Sequence, residues 1–456
     1  MGFLVSVAAF ILAIGVLVTV HEFGHFIVAR LMGVKVLRFS IGFGKPLWRR
    51  VAGADQVEYV IAALPLGGYV KMLDEREGEV AEHELPRAFN RQPLYKRTAV
   101  VLAGPLFNFL FAILAYWVIF IIGIPGAKPL IGEVTRGSYA AQAGLASEDE
   151  ILFVNGKRTP TWSAATVQLL ESVLTDAPVA IEVQNQNGLQ RSLTLNVPMN
   201  KSLTEPGALL PGIGIVPWRP QIPAVIGELE RTSVAWRAGL REGDRLVAAD
   251  GEPLTDRQAW IALVRANPDK PIITDVRRDG LPLRITITPE AVESGGEVVG
   301  RIGAPMVVPE ESRAQFERAR TVQQHGPVEA LGKAAVKTWE MSALTLRLLG
   351  KMLTGAVSLK NISGPINIAE YAGITASIGF VFYVSFLAII SVSLGVLNLL
   401  PIPILDGGHL FYFLVEFLKG SPVSEEVELI GQRIGILMLF ILMSFAFYND
   451  LARLFQ

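Results

Sequence analysis

The chain has no cysteine among its 456 residues, which excludes disulfides and any thiolate-ligated metal site. It also lacks an excess of charge. Forty-one Lys and Arg stand against 42 Asp and Glu, a net −1, so there is no basic field to gather nucleic acid. Histidine is scarce, five in all, so the placement of each one carries weight. What the chain does have is apolar residues. They make up 51% of it, and the mean hydropathy is +0.42, high for a soluble protein. The length suffices for about three domains.

The apolar residues are gathered into runs long enough to cross a bilayer, which takes about 20 residues. Residues 3–30 contain no Lys, Arg or Asp before Arg30. Residues 98–127 and 371–405 contain no charge at all, and "IGILMLFILMSFAFYN" (434–449) is a shorter run between Arg433 and Asp450. These predict transmembrane helices over 3–30, 98–123, 375–400 and 431–449. No basic leader or A-x-A cleavage site precedes the first run, so it is expected to be retained. Arg30, Lys35, Arg38, Lys45, Arg49 and Arg50 follow it closely. The positive-inside rule then places the 31–97 loop in the cytoplasm and residues 128–370 outside.

The outside segment repeats itself. "IGEVTRGSYAAQAGLASEDEILFVNG" (131–156) aligns without gaps to "IGELERTSVAWRAGLREGDRLVAADG" (226–251), with eleven of 26 positions identical. Each copy reads as strand, short helix, strand and an Asn-Gly or Asp-Gly turn. The pattern resembles PDZ domains of the bacterial protease-associated type, giving one copy over 127–220 and another over 221–308. Peptide binding or screening of substrates is the functional expectation, and a rigid spacer is the plain alternative. A connector (309–370) follows. Its stretch 327–359 has apolar residues at helical spacing with lysines and arginines between them. That suits a helix on the membrane surface or one packed on the repeats.

Polar residues inside the first run demand a reason, because ionisable groups in a span are costly. "HEFGH" places His21 and His25 one helical turn apart on one face, where both imidazoles reach a single zinc ion. Glu22 beside them is suited to move protons between water and a leaving amine. Two histidines holding helices together is the plain alternative, but it leaves Glu22 without a role. A catalytic zinc takes three protein ligands. Without cysteine the third is His, Asp or Glu. His83 lies in a charged surface stretch and His325 on the far side of the membrane. The favoured candidate is Asp406 in "NLLPIPILDGGHL" (398–410), where prolines and glycines break the helix. His409 competes as ligand or stands behind it, and Asp406 as a simple helix cap is the plain reading. Asn108 in the second span reads as structural.

HExxH in a first span, N-x-x-P-x-P-x-L-D-G in a later one and a PDZ pair between spans two and three together resemble the site-2 protease family over essentially the whole chain. The resemblance implies a polytopic α-helical membrane protein with four transmembrane helices, a membrane-associated β region and two extracytoplasmic α+β PDZ domains. It implies a zinc-dependent intramembrane endopeptidase of the bacterial inner membrane, with its PDZ pair in the periplasm and its active site toward the cytoplasm. His21, His25 and Asp406 would bind Zn2+, Glu22 would be general base and acid, and Asn398 would hold substrate backbone. The implied substrates are single-span membrane proteins: an anti-sigma factor already trimmed outside the membrane, and remnant signal peptides. No nucleic acid is expected as partner. "VLRFSIGFG" (36–44) alternates as an amphipathic strand, with partner strands expected in 57–73. An open sheet edge there would pair with an unwound substrate, and Gly42, Phe43 and Gly44 are the candidate contacts. A plain structural hairpin is the other reading of that stretch. A non-catalytic PDZ scaffold and a metal transporter are the rival classes for the whole chain.

Overall fold

Helix forms wherever the chain runs long and uncharged, since the backbone must satisfy its own hydrogen bonds in lipid. Four helices are long and apolar enough to cross a membrane: Leu4–Leu31, Leu94–Ile122, Phe380–Asn398 and Glu425–Arg453. The computed structural model describes residues 3–294 and 297–454. In chain order it contains α1 (Phe3–Leu31), the paired strands β1 (Val36–Ala52) and β2 (Val57–Met72), and α2 (Leu94–Ile122). Two β-rich units follow, carrying α3 (Trp162–Thr175) and α4 (Arg257–Ala266). After them come α5 (Pro327–Leu353), α6 (Pro365–Ile378), α7 (Phe380–Asn398), α8 (Asp406–Lys419) and α9 (Glu425–Leu454). The third span therefore starts at Phe380 and not at residue 375. Gly379, at φ +144°, breaks the apolar run into α6 and α7, a conformation open to glycine alone.

The helix α2 is the hub. It packs against α1 on one side and α7 on another, where Phe109 closes on Gly395 and the Ser391 hydroxyl donates to the Asn108 carbonyl at 2.8 Å. Its far end meets α5, whose small residues Ala330 and Ala334 sit on Ala115, Tyr116, Ile119 and Phe120. The other flank of α5 touches the first unit. Leu344 shares a cluster with Leu174, and Arg347 and Glu340 pair with Glu171 and Lys157 at 2.6 and 2.9 Å. Its remaining face, with Leu331, Val336, Trp339 and Leu346, stays exposed. Packing on the repeats, one of the two sequence readings of this helix, has its counterpart in this contact with the first unit.

The two β-rich units are built alike, down to single hydrogen bonds. Ser138 and Ser233 cap the one-turn helices Tyr139–Gln142 and Val234–Arg237. Asp149 and Asp244, both fully buried, each accept a turn amide and pair with an arginine, Arg191 and Arg278. Asn155 and Asp250 take up positive φ, and each accepts an amide from a neighbouring strand at 2.8 Å. The spacing of 95 residues thus maps the serine cap, the buried aspartate and the turn residue onto equivalent positions in each unit, while the partner arginines stand 87 residues apart. Each has its own apolar core, one around Ile151, Leu169 and Ile181, the other around Trp260, Ile272 and Ile287.

The end of α9 is fixed by a buried carboxylate. Asp450 accepts from the amides of Gly364, Ile366 and Asn367 at 2.9, 2.9 and 3.1 Å, so it caps α6 from a different helix and satisfies donors that a helix start leaves open. Asn449 donates to the carbonyls of Leu359 and Ile362. Replacing Asp450 by Leu strands three amides, each costing about 1–3 kcal/mol when buried. The expected result is a lower unfolding temperature in detergent and faster hydrogen exchange at 364–367.

Candidate metal centre

His21 and His25 sit in α1 about 15 and about 9 Å from its Leu31 end, counting 1.5 Å per residue. One helical turn apart, the two rings face α2, and α2 makes room for them. A Cβ on Gly104 would overlap His25 Nε2 and crowd His21, so only a glycine lets the two helices close around both imidazoles. Gly24 does the same from the other side, where a Cβ would meet the Ala103 backbone. His25 Nδ1 lies 2.8 Å from the Val100 carbonyl. His21 Nδ1 lies 3.1 Å from the Asn108 carboxamide.

Asp406 arrives from a separate segment, through a strained loop. Ile404 has φ +116°, an outlier for a β-branched residue of the kind that surrounding structure must enforce. The enforcement is visible. Gly407 and Gly408 bring the start of α8 onto the backbone of Leu399–Pro403, and Gly435 brings α9 against the Pro403 carbonyl. A side chain at any of the three would separate these segments. Asp406 is the first residue of α8, and the cap position is Leu405. Its carboxylate turns toward α1 and does not serve as a cap.

The three groups converge. His21 Nε2 is 3.2 Å from His25 Nε2 and 3.2 Å from Asp406 Oδ2, and His25 Nε2 is 3.5 Å from the same oxygen. Donor atoms bound tetrahedrally to zinc at about 2.0–2.1 Å lie roughly 3.3 Å apart, so the triangle has the size such an ion requires. Asp406 Oδ2 is buried with no hydrogen-bond donor of its own, a state that a cation relieves. Among the described residues, these are the three that form a metal-sized cluster. His409 lines the same cavity without joining them. His325 is elsewhere, against Glu329 and the Phe120 ring.

Glu22 borders the cluster. Gly68 lets β2 seat beside it, since a Cβ there would lie 3.1 Å from Glu22 Cγ. All four residues line a cavity of about 490 Å³, together with Asn398, Tyr69 and Met72. The cavity continues to charged residues: Arg97 pairs with Glu416 at 2.5 Å, and Arg76 lies 3.9 Å from Glu428. Water thus has a polar path to a site inside the helix bundle.

The β pair bordering this cavity is more folded than a hairpin. Residues 38–41 of β1 pair with 68–71 on one side and with 58–61 on the other, and 46–52 pair with 57–62. The stretch 68–72 is therefore an outer edge, and it faces the cavity. Gly42, Phe43 and Gly44 do not line the cavity. Gly42 and Gly44 have φ +89° at a turn against Leu64 and Ala62, and Phe43 stacks on Tyr69 at 6.1 Å. Sequence reasoning missed the edge at 68–72, although "PLGGYV" carried a signal in its paired glycines.

Residues 9–442 match peptidase family M50. The chain belongs to this family of site-2 proteases. It is similar to the regulator of sigma-E protease RseP of Escherichia coli K12, 46% identical over 457 residues and the full length of both chains. It is likewise similar to the regulator of sigma E protease of Salmonella typhi, 47% identical over 98% of this chain and 99% of the other. A Vibrio cholerae protein named as a zinc metalloprotease is 44% identical over 98% of each. The chain is thus a membrane-embedded metallopeptidase. The sequence motifs led to the same family.

Gly104 gives the sharpest test of the packing around the imidazoles. Gly104→Ala is expected to lower zinc affinity at least tenfold by pushing both rings aside. Gly15→Ala, in open space on α1, is expected to leave it unchanged. Competition with a fluorescent chelator measures both.

Proposed function

We propose that the chain is a zinc-dependent endopeptidase that cuts single-span membrane proteins within the bilayer. The observation that carries this is the convergence of His21, His25 and Asp406 at zinc-sized spacing inside a bundle of apolar helices, with Glu22 on the cavity wall. A zinc ion held by His21, His25 and Asp406 would supply Lewis acidity to the scissile carbonyl and would lower the pKa of its water to about 7. Glu22 takes the proton of the attacking water and hands it to the leaving amine. Asn398, at the end of α7, faces the cavity and donates to substrate backbone.

A helical substrate hides its peptide bonds, so it must unwind to be cut. The edge at 68–72 lies beside Glu22 and offers backbone groups to the unwound strand. Gly42, Phe43 and Gly44 act one layer back: they shape the turn and support Tyr69. Gly42→Leu is expected to lower cleavage severalfold with bound zinc unchanged, because it distorts the turn and not the metal cluster. Equal cleavage by the variant counts against the sheet's part in binding.

The substrates are an anti-sigma factor already trimmed outside the membrane and remnant signal peptides, in keeping with the names of the relatives. The repeated units, residues 127–220 and 221–308, are PDZ domains on the periplasmic side of the inner membrane that screen substrates by size or bind peptide tails. The positive charge after α1 supports a metal site toward the cytoplasm. The contacts of the first unit with α5 hold it close to the bundle, and the exposed apolar face of α5 suits the membrane surface.

The deciding experiment incubates purified protein with a tagged single-span substrate, with and without a zinc chelator, beside Glu22→Gln. Cleavage by the untreated wild type is expected, together with loss of at least a hundredfold in both treated arms. Cleavage that survives chelation and the substitution removes the protease reading of this site. A substrate bound but never cut by wild type favours the scaffold.

A further inference from the structure

We infer that Asn108 is a positioning residue for the metal: its carboxamide oxygen accepts the Nδ1–H of His21 and holds that ring in the tautomer that presents Nε2. This rests on His21, His25 and Asp406 being the ligands. An imidazole binds a metal through one nitrogen, and its other nitrogen then carries a proton and needs an acceptor. His25 has an acceptor that admits only one tautomer, the Val100 carbonyl at 2.8 Å. Its Nδ1 must donate, so Nε2 is left for the ion. His21 faces the same requirement eight residues further along α2.

Val100, Gly104 and Asn108 follow one another at four-residue spacing and so share a face of α2. They provide an acceptor, a gap for the rings and a carboxamide, in that order. As placed, the carboxamide nitrogen meets His21 Nδ1 at 3.1 Å, while Asn108 Oδ1 is buried without a partner. The three converging donor atoms require His21 Nε2 to keep its lone pair, so Nδ1 carries the proton. Two donors then face each other, which no hydrogen bond allows. The two ends of a carboxamide are nearly isosteric. Turning it half a turn sets Oδ1 on Nδ1–H and resolves the conflict.

The residue is also fixed in place. Asn108 is fully buried, and its own carbonyl accepts from Ser391 on α7 at 2.8 Å. Its side chain bonds to no other span: among the described residues, His21 is its one side-chain partner. Helix adhesion, the ordinary task of an asparagine in a span, would aim the carboxamide at a group in the neighbouring helix that has no metal to orient. The same contact supports a second statement about chemistry. An acceptor on Nδ1 raises the basicity of Nε2, so Asn108 is expected to affect metal affinity more than fold.

The test uses the full-length protein in detergent, with zinc affinity read by chelator competition and the stability of the metal-free form by thermal unfolding. Asn108→Leu, nearly the same size but without an acceptor, is expected to lose ten- to a hundredfold in zinc affinity with metal-free stability kept. Asn108→Asp retains the acceptor and is expected to bind zinc within a few-fold of wild type. Wild-type affinity in the leucine variant, or equal loss in both variants, overturns the proposal. A fall in metal-free stability that matches the loss of affinity also overturns it, since that marks a structural role. Histidine-labelled wild type provides a check that needs no variant. Its nitrogen spectrum with zinc bound should show His21 Nδ1 protonated and hydrogen bonded, and an unprotonated Nδ1 contradicts the assignment. Failure of wild type to bind zinc at all would instead remove the ligand assignment on which the inference stands.

Discussion

Two imidazoles and two carboxylates inside an apolar helix bundle form the constraint on which the rest of the structure depends. Each such group costs a few kcal/mol at the centre of a span on insertion scales. The cost is bearable only if every polar atom is answered at short range, and the neighbours of α1 are arranged for that. α2 supplies Val100 and Asn108, and α8 supplies Asp406. The glycines at 24, 68, 104, 407, 408 and 435 are the other half of the same constraint. They remove side chains where backbones or rings must approach.

The arrangement also explains why a soluble-looking β sheet lies against a membrane helix. β2 reaches Glu22 through Gly68, and its 68–72 edge borders the cavity. A peptide drawn onto that edge would pass the metal cluster at the depth of the histidines. At the opposite end, Asp450 ties α9 to α6, while Gly435 of the same helix rests on the loop that delivers Asp406. A single helix thus joins the connector after the repeated units to the strained turn at Ile404.

Much of this was legible in the sequence, for identifiable reasons. His21 and His25 announce themselves because histidine is scarce and helical spacing fixes which residues share a face. Asp406 was reachable because two prolines and two glycines mark a break at the end of an uncharged run. The repeat at 95 residues was legible because buried Asp149 and Asp244 and the Asn155 and Asp250 turns admit few substitutes. What stayed hidden depends on contacts between distant segments. Asn108 reads the same whether it joins helices or meets a histidine, and only the approach of α1 decides. The alternation in 36–44 shows a strand, but not that β1 is flanked on both sides and leaves 68–72 as the edge. Gly379 lies in an uncharged run whose hydropathy continues across it, so the break between α6 and α7 left no mark in composition.

The central claim is that side chains from α1 and α8 share one metal ion within the membrane-embedded bundle. Zinc K-edge X-ray absorption on the full-length protein tests it most directly. The account predicts one zinc per chain, with nitrogen and oxygen donors at about 2.0–2.1 Å and the outer-shell signature of two imidazoles. In Asp406→Ala the account predicts that the two imidazoles remain and one oxygen donor is lost or replaced by water. A zinc environment with no imidazole contribution, or one unchanged by His21→Ala and His25→Ala together, would contradict it.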